Sequence, residues 1–464
     1  MIARILTVLL VALTGLLPMR SALASPDDGA TDGTSYASPL TALSGQRQSL
    51  VWHDTSSAAD ALQTTMGTET TFAAVMASVN HPLTSANCSA AESAARPVAP
   101  AATTALCWDT GDDTTDAWHP QGITTSGDAD DDGAWGAYKV ILSGWQSLIS
   151  GRYNDARVAF VDYTNSAAPA YRWVYLVVPN ATGTDFTAAK AHVGGMVWYG
   201  DKLFVTAVGN TSTAIRVFSM ANILRATDSS SAIGKTSSGY AAYGYQYVMP
   251  QIGYYTYSGG TCTMFADGTY PSYTVADNDG DGTAGNSAAD WVGNGTRAFT
   301  NDTTTACLSS ISLDRSTSPD TLVAGEYFGH DTPNLHGRLL RYPLGSGYLL
   351  SATSGTVPVT ASYRSYVGDV QGVLSYGGVW YVSHSWLDAR GGIWRQTTSG
   401  GGAASCSLSG STAHQCWAWH PEGLTYNYAT GMVWGQTEWS STECAAQSQT
   451  CGRMVFATPR TDLP

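Results

Sequence analysis

The chain has 464 residues, a net charge of −14 and only 12% charged residues. It contains no cluster of lysines and arginines that could displace counterions from phosphates, which excludes nucleic acid and argues against an anionic membrane surface as the main partner. Glycine, serine, threonine and aromatic residues are abundant, whereas lysine and glutamate, which typically cover exposed helices, are scarce. The composition therefore predicts an all-β protein.

The N-terminus has the pattern of a secretory signal peptide. Arg4 is followed by an apolar segment over residues 5–17 and then by Ala22-Leu-Ala24, a small-x-small cleavage pattern. This apolar segment is shorter than the roughly 20 residues that a membrane-spanning helix needs. We therefore predict a signal peptide over residues 1–24 and a secreted, extracellular protein without membrane insertion. The alternative is an uncleaved membrane anchor.

Residues 25–103 differ in composition from the rest of the chain. They are rich in alanine, serine and threonine, and they end in a linker rich in proline and alanine. We expect an N-terminal extension that is partly disordered or wrapped on the folded domain, which would then occupy residues 104–464.

Eight cysteines, an even number, predict disulfides in a secreted protein. Many pairings are possible. Pairing between neighbours along the chain is the preferred one, because each pair then brackets a loop. The predicted pairs are Cys88–Cys107, Cys262–Cys307, Cys406–Cys416 and Cys444–Cys451.

A recurring segment marks the predicted first strand of five units within residues 104–464. Most copies place a histidine, glutamine or glutamate shortly before a glycine, and in four of the five an apolar strand follows. The third copy is followed by an insertion at 259–305. The copies are His119-Pro-Gln-Gly122, His192-Val-Gly-Gly195, Met249-Pro-Gln-Ile-Gly253, Asp369-Val-Gln-Gly372 and His420-Pro-Glu-Gly423.

Three further strands are predicted in each unit. The second is a short apolar run, the third usually opens with arginine, and the fourth leads into the next copy. Four strands per unit, repeated around a ring, predict a five-bladed β-propeller. The last unit has no fourth strand of its own, so we expect an N-terminal strand near residues 107–118 to close it and remove an open sheet edge. The alternatives are a β-sandwich, two small β-domains with similar hairpins, or a sixth blade hidden in the insertion.

In a propeller the first strands line one axis, so the polar residues of the repeat are predicted to converge. We expect them to hydrogen-bond a substrate, the alternative being that they bond only one another and trapped water. A metal site from the three repeat histidines is also conceivable. The predicted substrate-binding residues are His119, Gln121, His192, Gln251, Gln371 and His420.

Glutamate is rare in this sequence, and its placement is therefore informative. Of six glutamates, Glu326, Glu422 and Glu438 lie in the repeated inner strands. Glycoside hydrolysis needs two carboxylates, one as acid and one as nucleophile or base, and burial raises the pKa of the acid. His384 takes the place of Glu326 and Glu438 in its own unit and could instead be the base of a polysaccharide lyase, with a nearby tyrosine. All four are candidate catalytic residues.

An acidic segment in the insertion resembles the first half of a calcium loop. Asp277, Asp279 and Asp281 alternate with small residues and precede a glycine. No glutamate completes a twelve-residue loop, so the prediction is a looser structural calcium site. No other cofactor is expected.

The segments His119-Pro-Gln-Gly-Ile-Thr-Thr-Ser126 and His192-Val-Gly-Gly-Met-Val-Trp-Tyr-Gly200 resemble uncharacterised secreted β-propeller proteins of Streptomyces-type actinobacteria. The resemblance spans about residues 105–460. It implies a propeller fold and export, and it brings no catalytic residues with it.

Three functions follow as hypotheses, all with a polysaccharide or cell-surface glycan as partner and a monomeric protein. The first is a glycoside hydrolase that uses a pair of channel carboxylates. The second is a non-catalytic, lectin-like propeller whose aromatic side chains stack on sugar faces. The third is the polysaccharide lyase with a histidine and tyrosine base.

Overall fold

The computed structural model describes residues 36–207, 211–262, 305–327, 337–386, 389–408 and 413–464. The chain is mostly β, as its composition predicts. None of the described helices is both long enough and apolar enough to cross a membrane. The predicted signal peptide and the predicted calcium residues Asp277, Asp279 and Asp281 lie outside the described residues.

The described part of the N-terminal extension combines short strands with short helices. Helix α1 buries Ala59 and Leu62, and α3 begins with a capping box between Ser89 and Glu92. The elements are β1 (Thr41–Ala42), β2 (Leu50–Asp54), α1 (Ser56–Met66), β3 (Glu69–Thr70), α2 (Phe72–Met76), β4 (His81–Pro82), a 3-10 turn (Ser85–Asn87), α3 (Ala90–Ala95), β5 (Thr104–Cys107) and α4 (Thr110–Asp113).

Two of the next elements, β15 (Ile233–Thr236) and β16 (Gly239–Ala242), form a separate two-stranded sheet, and most of the others belong to one large sheet. Its two antiparallel runs, β6-β7-β8-β9 and β11-β12-β13-β17, are joined by a parallel pairing of β9 with β17, and β2 also pairs with β17. The elements are β6 (Trp118–Thr125), α5 (Ser126–Ala129), β7 (Val140–Ser147), β8 (Ala156–Asp162), β9 (Ala170–Pro179), β10 (Phe186–Ala188), β11 (Met196–Tyr199), β12 (Lys202–Thr206), β13 (Thr213–Ser219), β14 (Ile223–Arg225), β15 (Ile233–Thr236), β16 (Gly239–Ala242) and β17 (Tyr247–Tyr257).

Three further antiparallel sheets follow. The strand orders are β18-β19-β20-β21, extended by β1, then β22-β23-β24-β25, and then β26-β27-β28, which pairs with β5. The elements are β18 (Leu308–Asp314), β19 (Thr321–Glu326), β20 (Arg338–Pro343), a 3-10 turn (Ser346–Tyr348), β21 (Ala361–Arg364), β22 (Val370–Tyr376), β23 (Val379–His384), β24 (Gly392–Thr397), β25 (Gly400–Ala403), β26 (Pro421–Asn427), β27 (Met432–Thr437), α6 (Ser441–Ala446), β28 (Met454–Pro459) and a 3-10 turn (Arg460–Asp462).

The strands form five groups, which are β6–β9, β11–β13 with β17, β18–β21, β22–β25, and β26–β28 with β5. The first strands of these groups contact one another in a cycle, from β6 to β11, β18, β22, β26 and back to β6. The repeat glycines lie where neighbouring backbones touch. A Cβ on Gly195 would lie 2.0 Å from the Ile311 amide nitrogen, and one on Gly423 would lie 3.0 Å from the Gly122 Cα. Only glycine permits this approach, which explains why the motif repeats it.

The hydrophobic core lies between neighbouring sheets. One buried cluster joins Phe204 and Ile215 to Leu313 and Leu340 across the second and third groups. Another joins the fourth and fifth groups and includes Leu374 and Leu424. Because apolar burial contributes about 25 cal/mol per Å², the sheets stabilise one another by their inner faces.

Most of the predicted strands are present at the predicted places, and the four neighbour disulfides are all confirmed. The prediction that the third repeat copy forms the first strand of its unit is wrong. Met249-Pro-Gln-Ile-Gly253 lies within β17, which pairs with β13 and β2 on its two sides. The first strand of that group is β18, whose sequence lacks the motif. Sequence similarity to the repeat misled here because strand pairing, not the local motif, decides which strand is innermost.

Candidate functional site

The candidate site lies where the start of β6 meets the end of β27. Glu438, one residue beyond β27, accepts a hydrogen bond from Gln121 Nε2 at 2.6 Å, and its Oε1 lies 3.0 Å from His119 Nδ1. The Glu438 side chain is 19% exposed, whereas His119 is buried. Residues separated by more than 300 positions therefore meet because the first and last sheets are neighbours.

A second carboxylate contacts the other ring nitrogen of His119. Glu443 Oε1 lies 2.7 Å from His119 Nε2. Glu443 is the third residue of α6 and completes a capping box with Ser440, and the Cys444–Cys451 disulfide begins at the next residue. The start of the helix therefore fixes the orientation of the Glu443 side chain that contacts His119.

Arg453 contacts both of the segments that carry Glu438 and Glu443. Its guanidinium is fully buried, donates from Nε to the Glu438 carbonyl oxygen at 2.7 Å and approaches Glu443 Oε2 at 3.3 Å. Burial lowers the pKa of Arg453 to about 10, so it is a cation at neutral pH. A buried cation adjacent to two carboxylates favours their ionised forms.

The charge state of His119 follows from these contacts. Burial alone lowers its pKa, but the hydrogen bonds to Glu438 and Glu443 outweigh burial and raise the pKa to about 9. Burial raises the pKa of Glu443, and the His119 contact outweighs it and lowers the pKa to about 2. The pKa of Glu438 is lowered in the same way. At neutral pH an imidazolium therefore lies between two carboxylates.

Glu422, in β26 on the strand next to Glu438, has the opposite electrostatics. It is 2% exposed, and its Oε2 has no hydrogen-bond partner among the described residues. Burial, and then the negative charge of Glu438, raise its pKa well above the ordinary value. Glu422 is therefore a neutral acid beside an ionised carboxylate.

His420 and Trp439 form the adjoining wall. The two rings stack with centroids 3.9 Å apart and planes inclined by 11°, and His420 Nε2 lies 2.8 Å from Gln449 Oε1. Burial lowers the pKa of His420, so this ring is neutral. Trp439 is half-buried and leaves part of an aromatic surface facing solvent.

The predicted polar ring therefore forms only in part. His119, Gln121, His420, Glu422 and Glu438 come together, whereas Glu326, His384, His192 and Gln251 bond other groups. Glu326 makes a buried bidentate ion pair with Arg338, at 2.7 Å for each contact; His384 Nδ1 lies 2.7 Å from the Gly368 carbonyl; His192 lies 2.8 Å from Gln146 Oε1; Gln251 accepts from Arg216 at 2.6 Å; and Gln371 is half-buried in β22.

The sequence reasoning missed Glu443, Arg453 and Gln449. A local signal for Glu443 does exist, because Ser440-x-x-Glu443 is a capping-box pattern that marks a helix start. Arginine also recurs at the opening of the third strand, as in Arg157, Arg338 and Arg453. Neither signal shows which carboxylate the helix or the arginine faces.

The predicted metal triad of histidines is not among the donor clusters of the described residues. His119, His192 and His420 each bond a different side chain. One described cluster combines His420 with Cys444 and Cys451, but these sulfurs form a disulfide. Another comprises His81, Asp109 and Asp112, and Asp112 is already bonded by Arg157 and Tyr171.

Comparison with known proteins yields little. No family model matches the chain, and no curated protein matches it. Among solved structures, the GH43_1 enzyme from Xanthomonas citri complexed with xylose is similar at 9% sequence identity, over 75% of this chain and 88% of that chain, with a TM-score of 0.31.

Proposed function

We propose that the protein is a secreted five-bladed β-propeller that hydrolyses glycosidic bonds, with Glu422 as the acid and Glu438 as the ionised carboxylate. The propeller arrangement is supported by the cyclic contacts of the five first strands. The pairing of β5 with β28, in which Cys107 lies opposite Met454, supports closure of the last blade by an N-terminal strand. Four disulfides support an oxidising compartment outside the cytosol.

The observation that carries this function is the opposite electrostatics of two neighbouring glutamates. Burial keeps Glu422 protonated, and His119 keeps Glu438 ionised. Pairs of carboxyl groups whose environments separate their pKa values are the basis of acid and base assignments in glycosidases. The alternative, in which the buried polar groups only bond one another, accounts for Glu438 but leaves Glu422 Oε2 without a hydrogen-bond partner in the described part of the chain.

The proposed reaction adds water across a carbon–oxygen bond. Glu422 gives its proton to the leaving-group oxygen, and Glu438 acts on the anomeric carbon either through an activated water or as the nucleophile. The bond from the anomeric carbon to the leaving oxygen breaks, and a bond from that carbon to oxygen forms. The net change is one water consumed, with its hydroxyl on the sugar. When Glu438 is the nucleophile, Glu422 takes the remaining proton of the water; when Glu438 activates the water, Glu438 takes that proton, and exchange with solvent returns both groups to their starting forms.

The test is a panel of polysaccharides screened for new reducing ends. Release of reducing ends without unsaturated uronate is the expected result, and Glu438→Gln and Glu422→Gln should each reduce the rate by at least about 10²-fold, the scale of a lost acid or base. Glu69→Gln is the matched control, because Glu69 is exposed in β3 on the N-terminal extension.

Two outcomes would overturn the proposal. Absorbance from an unsaturated uronate would indicate elimination and the lyase hypothesis instead. Retention of a glycan without any product, unchanged by Glu422→Gln, would indicate a lectin-like protein.

A further inference from the structure

An open cleft lies between the β7–β8 connection and the segment that includes β10 and the residues after it. Its volume is about 540 Å³, within the range of small-molecule sites, about 300 to 1,000 Å³. The lining includes two cations, Arg152 and Lys190, and one acid, Asp155. This excess of cations contrasts with the net charge of −14 of the whole chain.

The solvent-facing charge of this cleft is positive because its single acid is hidden. The Asp155 side chain is 2% exposed and is bonded by Tyr175 Oη at 2.6 Å and by Lys190 Nζ. The side chains of Lys190 and Arg152 are 48% and 27% exposed. One carboxylate neutralises one of the two cations, so one positive charge remains for a ligand.

Both cations are held in place and retain hydrogen-bonding capacity. Arg152 Nη2 donates to the Ser231 carbonyl at 2.7 Å, and its guanidinium lies 4.0 Å above the Tyr243 ring. Lys190 Nζ also donates to the Tyr153 carbonyl at 3.0 Å. A guanidinium has five N–H donors and an ammonium has three, so each has donors beyond these contacts.

The cleft lies at the same end of the sheets as the candidate site. Ser147, at the end of β7, pairs with Trp118, which immediately precedes His119. The Tyr175 ring stacks on Tyr245 at 5.2 Å, and Tyr245 in turn contacts the Trp118 ring edge-on at 6.1 Å. A row of aromatic rings therefore connects Tyr175, the partner of Asp155, with Trp118, the residue before His119.

We propose that this cleft is a subsite for the carboxylate of a uronic acid residue, so that the glycan acted on at the candidate site is an acidic one. Arg152 and Lys190 bind the carboxylate, and charge-assisted hydrogen bonds of this kind are stronger than those to a neutral hydroxyl. The exposed Tyr153 ring, 56% accessible, adjoins the cleft and offers a surface for a sugar face. The inference deepens the proposed function and rests on it for the role of the subsite.

The test measures binding without turnover. The dissociation constants of trigalacturonate, of its neutral carboxyl-reduced form and of that neutral form carrying one sulfate ester are measured by calorimetry on the wild-type protein and on Glu438→Gln. Trigalacturonate should bind roughly tenfold or more tightly than the neutral form, as expected for one charge-assisted hydrogen bond. Added salt should weaken this preference, because the cations are partly exposed.

The variants separate a ligand site from a structural ion pair. Lys190→Gln and Arg152→Gln should each weaken trigalacturonate binding by roughly tenfold and leave binding of the neutral form unchanged. Lys139→Gln is the matched control, since Lys139 is exposed just before β7, at the opposite end of that strand, and it should have no effect. If Arg152→Gln fails to fold, the more exposed Lys190 still decides the question.

Equal binding of the neutral and acidic trisaccharides would overturn the subsite, and tighter binding of the sulfated form than of trigalacturonate would overturn the uronate assignment. Failure of the subsite is distinguishable from failure of the proposed function. Selective trigalacturonate binding without hydrolysis of any acidic glycan would support the subsite and contradict the proposed hydrolase. Hydrolysis restricted to neutral glycans, without selective binding, would support the proposed hydrolase and contradict the subsite.

Discussion

Glu326 is the last residue of β19, and Glu438 directly follows β27. Both strands are the second of their sheets, yet the surroundings of the two glutamates differ. Glu326 is closed off by Arg338, which contacts both carboxylate oxygens at 2.7 Å in a fully buried pair. The equivalent arginine of the last sheet, Arg453, donates to the Glu438 carbonyl oxygen and to Glu443 instead. The Glu438 carboxylate is thereby left to His119 and Gln121 of the first sheet and stays partly exposed.

This contrast shows how the same repeat position can be closed by an ion pair in one sheet and stay partly exposed in another. A bidentate ion pair within one sheet satisfies both partners. A carboxylate shared across two sheets, like that of Glu438, keeps the exposure that the proposed function requires. The insertion of α6 and its Glu443 between β27 and β28 makes the difference, because it gives Arg453 another carboxylate.

The largest expected effect is on the closed pair. Arg338→Met should lower the free energy of unfolding by about 3–5 kcal/mol, because it leaves the Glu326 carboxylate buried without its cation. Urea denaturation followed by fluorescence measures the change. The double variant Glu326→Leu/Arg338→Met should recover most of the loss, since an apolar pair of similar volume is often tolerated. A double variant as unstable as the single one would contradict this account.

A pH titration of stability should distinguish the open cluster. The pKa of His119 is 6.5 ordinarily and about 9 in the fold, so its contribution is complete below pH 6.5 and is lost as the pH rises through 9. The loss should reach at most about 3 kcal/mol, at 1.36 kcal/mol per pKa unit. The pKa of Glu443 is lowered to about 2, so its contribution is complete above its ordinary pKa of 4.5 and is lost as the pH falls toward 2.

Urea unfolding from pH 3 to pH 10 checks this profile. His119→Gln should flatten the alkaline decline, because it removes the group whose pKa the fold raises to about 9. An alkaline decline of the same slope in His119→Gln would show that other groups cause it.

Removal of a disulfide should separate stability from activity. The Cys444–Cys451 and Cys406–Cys416 disulfides close loops of similar length, 7 and 10 residues in sequence separation. The double variants Cys444→Ser/Cys451→Ser and Cys406→Ser/Cys416→Ser each remove one of them. Each double variant should lose about 2 kcal/mol of stability by the chain-entropy relation. Only the first should reduce glycan hydrolysis, because Glu443 immediately precedes Cys444. Equal activities of the two would contradict the positioning role of α6.

The smallest expected effect concerns the Gln121 contact. Gln121→Met has similar volume but no donor, and it should cost about 1 kcal/mol of stability. Loss of this hydrogen bond should raise the pKa of Glu438, so the acidic limb of the pH–activity profile should move to higher pH. Gln146→Met, which removes the contact to His192, is the control and should leave that limb in place.

Much of the fold could be predicted from the sequence because its repeats are local. The alternation of apolar residues, the arginines that open third strands and the glycines at backbone contacts are all visible in the printed chain. The third copy failed because β17 carries a similar motif in an outer strand. The candidate site could be predicted in part, since Glu422, Glu438, His119, Gln121 and His420 lie on the recurring segments.

The sequence by itself determined the β composition, the strand repeat and the neighbour pairing of the cysteines, because each depends on residues close together in the chain. Only the tertiary structure decided that Glu438 meets His119 while Glu326 is closed off by Arg338. The physical reason is that a carboxylate's pKa and reactivity depend on the few charges within hydrogen-bonding distance. For Glu438 those charges come from α6 and from β6, and the position of neither relative to Glu438 is encoded in a local pattern.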